Sequence, residues 1–169
     1  RPIQDADRAR LADVLIRSWG STRMDTRGRL VDVLSLRGFV AEDDGSWIGY
    51  LSYEDRAGDI EIVVLEALVE GQGVASALLA RCAREALTKA ARRLWLLTSN
   101  DNTPALRFYQ RRGFVLVAVH RDAITHARAN LKPEIPLTGK DDIPLRDEIE
   151  LELPHAIWPD FIERHSWPS

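Results

Sequence analysis

Val63-Val64-Leu65 runs into Glu70-Gly71-Gln72-Gly73-Val74-Ala75-Ser76 and then into an apolar stretch with helical spacing. A strand that ends in a glycine-rich turn and opens a helix points successive backbone N–H groups at one spot, and the helix dipole adds positive potential there. Glycine at 71 and 73 lets the backbone approach an anion with no side chain in the way. The unit reads as a pyrophosphate cradle inside an α/β domain. Downstream, Asn102, Pro104, Ala105, Tyr109, Gly113 and Phe114 outline a second helix, with proline in its first turn and glycine as its stop.

The rest of the chain alternates helices and strands. Asp7 to Trp19 places Leu11, Val14, Leu15 and Ser18 on one helical face, and the polar segment Gly20 to Arg29 breaks that helix before a short helical stretch around Leu30 to Leu36. Gly38 to Ala41 and Trp47 to Tyr53 flank Asp43-Asp44-Gly45-Ser46, a hairpin signal, and Arg56-Ala57-Gly58-Asp59 turns the chain into a third antiparallel strand, Asp59 to Glu66. The cradle helix is expected from Val74 to about Ala91, followed by a strand, Leu94 to Thr98, apolar enough to be buried on both faces. Thr103 to Arg112 is the second helix, and Phe114 to His120 returns as a strand with Val115, Val117 and Val119 on one face. Ala127 to Arg146, with Pro133, Pro136 and Pro144, has no periodicity and reads as a long loop. Asp147 to Leu153 alternates Ile149, Leu151 and Leu153 with Glu148, Glu150 and Glu152, a half-buried strand whose glutamates read as a solvated face, with attraction of a cation as the alternative. A single domain over 1–153 is expected. The aromatic tail 154–169, with Trp158, Pro159, Trp167 and Pro168, is expected to dock on that domain or on a second subunit of a homodimer.

Composition excludes more than it names. The 169 residues carry 23 Lys plus Arg against 26 Asp plus Glu, a net charge of −3, so no basic surplus announces nucleic acid. The one cysteine, Cys82, rules out an intramolecular disulfide framework and reads as a small buried residue in a chain of a reducing compartment. No apolar run reaches the ~20 residues that span a bilayer, and no signal peptide opens the sequence, so a cytoplasmic location without membrane contact is expected. His120, His126, His155 and His165 show no metal-ligand spacing, and no metal is expected.

Two ordered motifs together carry a resemblance to a known family. Glu70-Gly71-Gln72-Gly73-Val74-Ala75 resembles the Arg/Gln-x-x-Gly-x-Gly/Ala phosphate motif of the GNAT superfamily of acyl-CoA-dependent N-acetyltransferases, matching at the glycine and alanine positions and departing at Glu70. The family's second signature, Asn-x-x-Ala-x-x-x-Tyr-x-x-x-Gly-Phe, is met in full by Asn102, Ala105, Tyr109, Gly113 and Phe114. The resemblance spans roughly residues 1 to 125. It implies an α/β (α+β) fold with a mixed, mostly antiparallel central sheet of six to seven strands flanked by helices, and a cofactor in the splay between the two central strands.

The resemblance also implies an activity: acetyl transfer from acetyl-CoA to a primary amine of a small molecule or peptide, by direct attack in a ternary complex. An amine attacks a thioester only as the free base, so a proton acceptor is required. The strand after the cradle helix, Leu94 to Thr98, carries no ionisable group, which leaves Glu61 and, second to it, Glu66 on the preceding strand. Tyr109 is implied beside the cofactor sulfur as donor to the departing thiolate. Asn102 is implied at the pantetheine arm, with capping of the Thr103 helix as its structural alternative. Val63, Val64 and Leu65 are implied to hold the arm and the thioester carbonyl through backbone groups. The remaining cofactor contacts fall on Glu70, Gly71, Gln72, Gly73, Val74, Ala75 and Ser76. Gly20 to Arg27 and the loop after Ile124 are the expected substrate walls. Two other readings stay open: a relative that senses acyl-CoA without turning it over, and a dinucleotide-binding module suggested by Gly71-x-Gly73-x-x-Ser76, for which three hairpin-linked strands come too early.

Overall fold

The computed structural model describes residues 1–167 and is organised around one six-stranded sheet of mixed direction, in the spatial order β3 (Arg37–Asp43), β4 (Ser46–Arg56), β5 (Asp59–Ala67), β6 (Arg93–Ser99), β8 (Glu148–Glu152), β7 (Val115–His120), with a separate two-stranded ribbon of β1 (Arg23–Thr26) and β2 (Arg29–Asp32). Helix α1 (Arg8–Trp19) ends at Gly20, whose φ of 70° closes the last turn onto the Ile16 carbonyl. It buries Leu11, Val14 and Leu15 against Val40, Trp47, Tyr50 and Val64 on one face of the sheet. Helix α2 (Val74–Thr88) covers the other face, where Leu78, Leu79, Cys82, Ala83 and Ala86 meet Phe39, Leu51, Ile60, Ile62, Leu94 and Leu151. The apolar residues of the predicted helices therefore do face the sheet, from opposite sides.

Strands β3 (Arg37–Asp43), β4 (Ser46–Arg56) and β5 (Asp59–Ala67) form the expected antiparallel meander. β6 (Arg93–Ser99) then runs parallel to β5, but only over four pairs, from Asp59 opposite Arg93 to Ile62 opposite Leu96. At that point β5 bulges. Its neighbour β4 pairs Tyr53 with Ile62 and Ser52 with Val64, leaving Val63 without a partner, and a bulge of this kind bends a strand away from its ladder. Past Ile62 and Leu96 the two central strands separate.

The structure departs from the sequence-based reading in four places. Gly20 to Leu36 is not a polar break followed by a helix: β1 (Arg23–Thr26) and β2 (Arg29–Asp32) make a hairpin, and only Val33–Ser35 is helical, as a 3-10 turn. The hairpin turn is Arg27-Gly28, both at positive φ (48° and 70°), the geometry that two-residue hairpin turns require and that an arginine does not advertise. Second, the long loop is shorter than expected, because α4 (Ala123–Asn130) takes its first residues and Lys140–Asp142 forms a 3-10 turn. Third, β7 (Val115–His120) does not keep its valines on one face. Its register against β8 (Glu148–Glu152) skips Val117, so Val115 and Val119 lie on opposite sides, and Val115, Leu116, Val117 and Val119 are all exposed at this edge strand.

Fourth, the glutamates of β8 are not solvated. β8 lies between β6 and β7, and Glu148 and Glu150 are buried. Glu150 accepts from Arg93 at 2.7 Å, from Arg27 at 2.5 Å, and bonds the His120 ring at 2.8 Å. Charges this close hold the Glu150 carboxyl below its usual range against the opposing effect of burial. The aromatic tail, expected to dock on the domain or on a second subunit, is a helix packed on the domain as far as it is described. α5 (Trp158–His165) lays Trp158, Phe161 and Ile162 into the core beside α2, and the Trp158 indole donates to the Leu153 carbonyl at 2.9 Å. Burial of side chains such as Phe161 and Ile162 contributes roughly 1.5–3 kcal/mol apiece. Pro168, part of the aromatic tail in the sequence, lies outside the described residues. No helix among the described residues is long and apolar enough to cross a membrane.

Helix α2 stops three residues before the predicted Ala91, and its end generates a prediction. Ala91 N–H bonds the Ala86 carbonyl and Ala90 N–H bonds Leu87, which places exposed Ala90 in the left-handed conformation at φ 51°. This paired arrangement usually carries glycine, because a Cβ in that region costs about 1 kcal/mol. Ala90→Gly is expected to raise the thermal midpoint by about 3 °C in a calorimetric scan, in line with the domain's size.

Candidate active site

The turn before α2 has the geometry of an anion cradle. Gly71 and Gly73 sit at φ 78° and 74°, Gly73 serves as the residue before the first helical turn, and a Cβ built at either position meets no atom within 4 Å. Both glycines therefore face open space and expose backbone. The first-turn N–H groups of Val74, Ala75 and Ser76 have no partner within the helix and point out of its start. The open space belongs to a groove of about 610 Å³ walled by Leu65, Ala67, Val69, Val74, Phe108 and Tyr109. Glu70, Gly71, Gly73, Ala75 and Ser76 complete the cradle end, so of the sequence-derived turn residues all but Gln72 line the groove.

Arg112 also lines this groove, and sequence reasoning missed it. Its Nε donates to the Ser76 hydroxyl at 2.8 Å, and its guanidinium lies over the Phe108 ring at 3.6 Å. Burial, with Arg111 adding to it, lowers its pKa, the mark of a cation partly stripped of water. Arg112 supplies at the cradle the positive charge that Glu70 does not. Its signal was available: it is the residue before Gly113, one turn beyond Tyr109, in a stretch whose other positions carry the motif.

Helix α3 (Thr103–Gln110) brings Tyr109 to the junction of this groove with a second cavity. Tyr109 is 9% exposed, packs against Phe108 and Phe114, and burial raises its pKa well above the ordinary phenol value. It stays protonated. Its hydroxyl has no hydrogen-bond partner among the described residues. Asn102 caps α3, its Oδ1 accepting from Ala105 N–H at 3.4 Å and from Lys140 Nζ at 3.2 Å, so the capping alternative is realised; Asn102 also lines the second cavity.

That second cavity, about 330 Å³, is the gap opened where β5 and β6 part. Val63, Val64 and Leu65 form one wall and Leu97, Thr98 and Ser99 the other. Trp19, Met24, Ile124, Ile135 and Leu145 close it with apolar surface from α1, the β1-β2 ribbon, α4 and the loop beyond. Both expected substrate walls thus contribute.

Neither carboxylate singled out from the sequence lines this cavity. Glu61 is 4% exposed and accepts a hydrogen bond from the Thr26 hydroxyl, with the Arg29 guanidinium at 3.7 Å; it borders a separate recess with Arg27, Arg29 and Trp95. Burial raises its pKa, opposed by Thr26 and Arg29. Glu66 accepts from the Tyr50 hydroxyl at 2.5 Å and the Trp19 indole at 3.2 Å. The acids that do line the cavity are Asp25, on β1, and Glu148, on β8. Asp25 lay in a segment read as a substrate wall, whereas Glu148 lay on a strand face read as solvated. Among the described residues no group of three or more His, Cys, Asp or Glu side chains could hold a metal ion.

The comparisons agree with this geometry. Residues 9–114 match the family model described as the acetyltransferase (GNAT) family. The chain is 35% identical over 149 residues, 88% of its length, to the Bacillus subtilis (strain 168) protein YdhI, of which it covers 92% and which is described as uncharacterized. Its fold is similar to that of a spermidine N-acetyltransferase SpeG variant from Vibrio cholerae, with a TM-score of 0.67, 16% identity and 94% of each chain covered. It is also similar to yncA from Salmonella typhimurium, a putative acetyltransferase solved with its cofactor acetyl-CoA, with a TM-score of 0.64, 20% identity and 92% of each chain covered. With a glycine cradle at the start of α2, a splayed pair of central strands and a family match across both, the chain belongs to the acetyltransferase (GNAT) family.

Proposed function

We propose that this protein transfers an acetyl group from acetyl-CoA to a primary amine of a small molecule or peptide, by direct attack of the amine in a ternary complex. The observation that carries the reading is the position of Tyr109, shared between the cradle groove and the cavity in the splay. A donor at that junction stands where a thioester held in the groove would present its sulfur to an acceptor in the cavity.

The residues present fit the co-substrate. The turn from Gly71 to Ser76 offers convergent N–H groups and open space for a pyrophosphate, Arg112 adds a cation, and Gln72 lies on the exposed outer side of the turn. The β5 edge at Val63 to Leu65, no longer paired with β6, has backbone groups free to hold the pantetheine arm as an added strand would. A backbone N–H on this edge can stabilise the carbonyl oxygen as negative charge develops. When bound, acetyl-CoA supplies the activated acyl carbon and a thiolate leaving group. Tyr109, kept neutral by its apolar surroundings, holds the proton that this leaving group needs. In this reading Glu61 anchors the β1-β2 hairpin through Thr26, and Glu66, held by the buried Tyr50 hydroxyl, orients Trp19 at the cavity wall. The amine fits what the cavity offers: apolar walls and, at Asp25 and Glu148, acidic groups for a cation.

The decisive experiment measures thiol release from acetyl-CoA against a panel of spermidine, kanamycin, β-phenylethylamine and a lysine-containing tetrapeptide, with CoA binding followed by calorimetry in parallel. Turnover with an amine supports the reading. Tight CoA binding without turnover on any amine would instead favour a sensor, and competition by NAD but not by CoA the dinucleotide module.

Two substitutions refine it. Gly73→Val forces a β-branched residue to φ 74° and directs its side chain into the groove, so CoA affinity is expected to fall at least tenfold, about 1.4 kcal/mol, in calorimetry on the folded variant. Unchanged affinity would remove the turn from the binding site. Tyr109→Phe deletes only a hydroxyl without a protein partner, so stability and CoA affinity should hold while kcat falls by roughly 10²-fold. The defect should be smaller with an acyl donor whose thiol is more acidic; an equal defect with both donors would assign Tyr109 a packing role.

A further inference from the structure

We infer that Glu148, assisted by Asp25, is the catalytic base that accepts the proton of the incoming ammonium group. The inference rests on the amine-acetylation reading and names a residue for its missing step. Glu148 comes from the far side of the splay, on the strand that hydrogen-bonds to β6, with Glu148 opposite Ser99. It is 6% exposed, lines the cavity wall, and its Oε2 is buried without a hydrogen-bond partner among the described residues. Asp25 enters the same cavity from the β1-β2 ribbon, and its Oδ1 is likewise buried and unpartnered. Folding strips water from such oxygens at a cost unless something donates to them. A protonated amine carries three donors and a positive charge, the complement to two such acceptors.

The surroundings favour a proton acceptor over a permanently charged pair. Facing Glu148 are Asp25 and Arg27 from the ribbon and Glu61 from β5, with Ser99 across on β6 and His120 across on β7; Lys132, beyond α4, acts on Asp25. Arg27 spends its guanidinium on Glu150 and Arg29 pairs with Glu54, with Glu61 near it, so no arginine side chain forms an ion pair with Glu148 among the described residues; the Arg27 backbone N–H and charge only partly offset its burial. Burial first, and then the Asp25 charge, push the Glu148 carboxyl up to about 7. Burial also raises Asp25. Glu61, nearer in sequence to the cradle, already accepts from Thr26 and has Arg29 beside it.

R–NH₃⁺ gives one proton to the Glu148 carboxylate, producing a carboxylic acid and a neutral amine. The nitrogen lone pair forms the C–N bond to the acyl carbon, the C–S bond breaks with its electron pair leaving on sulfur, Tyr109 protonates that thiolate, and the second proton lost from nitrogen returns to the Tyr109 phenolate through solvent, leaving one proton on the amide nitrogen. Glu148 then releases its proton to solvent, so the net products are amide, thiol and one proton.

The test uses Glu148→Gln, close in size to the parent, and Asp25→Asn, each assayed with the amine that wild type turns over best in the panel above. Wild-type kcat/KM is expected to rise with pH through an inflection near 7, because Glu148 works only when ionised. Glu148→Gln should lower kcat by roughly 10²- to 10⁴-fold at pH 7. It should also lose that inflection, recover as pH approaches the amine's own pKa, and keep its calorimetric CoA affinity. Asp25→Asn should mainly raise KM for the amine, by about tenfold, and move the inflection down. Infrared titration supplies a readout apart from turnover: a buried carboxyl that ionises near neutral pH in wild type should vanish in Glu148→Gln. A Glu148→Gln enzyme that is folded, binds CoA and retains the wild-type rate and inflection would overturn the inference while leaving amine acetylation intact. Absence of turnover by wild type on every amine, together with a Glu148 carboxyl already ionised at pH 6, would overturn both.

Discussion

Everything in this molecule that bears on chemistry depends on an unfinished ladder. Strands β5 and β6 pair for four residues and stop at Ile62 and Leu96, because the extra residue Val63 bends β5 off its course. Backbone N–H and C=O groups beyond that point belong to strands by conformation but not to a sheet by hydrogen bonding, and buried groups of that kind need partners. A sheet that closed fully would leave neither a cavity between its central strands nor a free strand edge. The apolar layers on either side, α1 on one face and α2 with α5 on the other, hold the two halves of the sheet in place and keep the gap from collapsing.

The sequence showed those parts of the site that are built from neighbours in the chain. Gly71 and Gly73 announce a turn whatever surrounds them, and Asn102, Pro104 and Gly113 mark helix ends through local backbone requirements, so the cradle, α2 and α3 could be placed before any fold was known. Asp44-Gly45 gave the β3-β4 hairpin for the same reason. Arg27-Gly28 makes the same kind of turn with φ of 48° and 70°, yet arginine at a positive φ carries no local signature, and the local sequence reads instead as a polar break followed by a short helix. What selects it is the tertiary environment: Thr26 reaches Glu61 and Arg27 reaches Glu150, partners 35 and 123 residues away.

The acids of the cavity were hidden by the same non-local logic. Strict alternation in Glu148 to Leu153 correctly separates two faces but cannot say what covers each. A glutamate face defaults to water, and here the ribbon from residues 23–32 lies over it. Glu61 looked distinctive because it interrupts an apolar strand, a real signal of something specific beneath. In the structure that something is Thr26 and Arg29, whose partnership with a strand glutamate has no trace in local spacing. Arg112 differs from both, since it stands one position before Gly113, inside the motif that the local sequence displays.

The strand order carries a consequence for how the chain comes to life. β8 inserts between β6 and β7, so the inner edge of β6 and the whole of β7 wait for residues 148–152 before they join the sheet. Chains that emerge from the N-terminus onward can settle early segments first. The meander, the cradle and α3 are all available while the chain is still growing, but β6 has an open edge and β7 only transient neighbours until nearly the last strand arrives. Synthesis from the N-terminus therefore passes through a form that has the glycine turn but lacks the Glu148 wall, and any truncation or stall short of β8 leaves an apolar, unpaired edge at Leu94 to Leu97, the kind of surface on which chains cross-pair and aggregate.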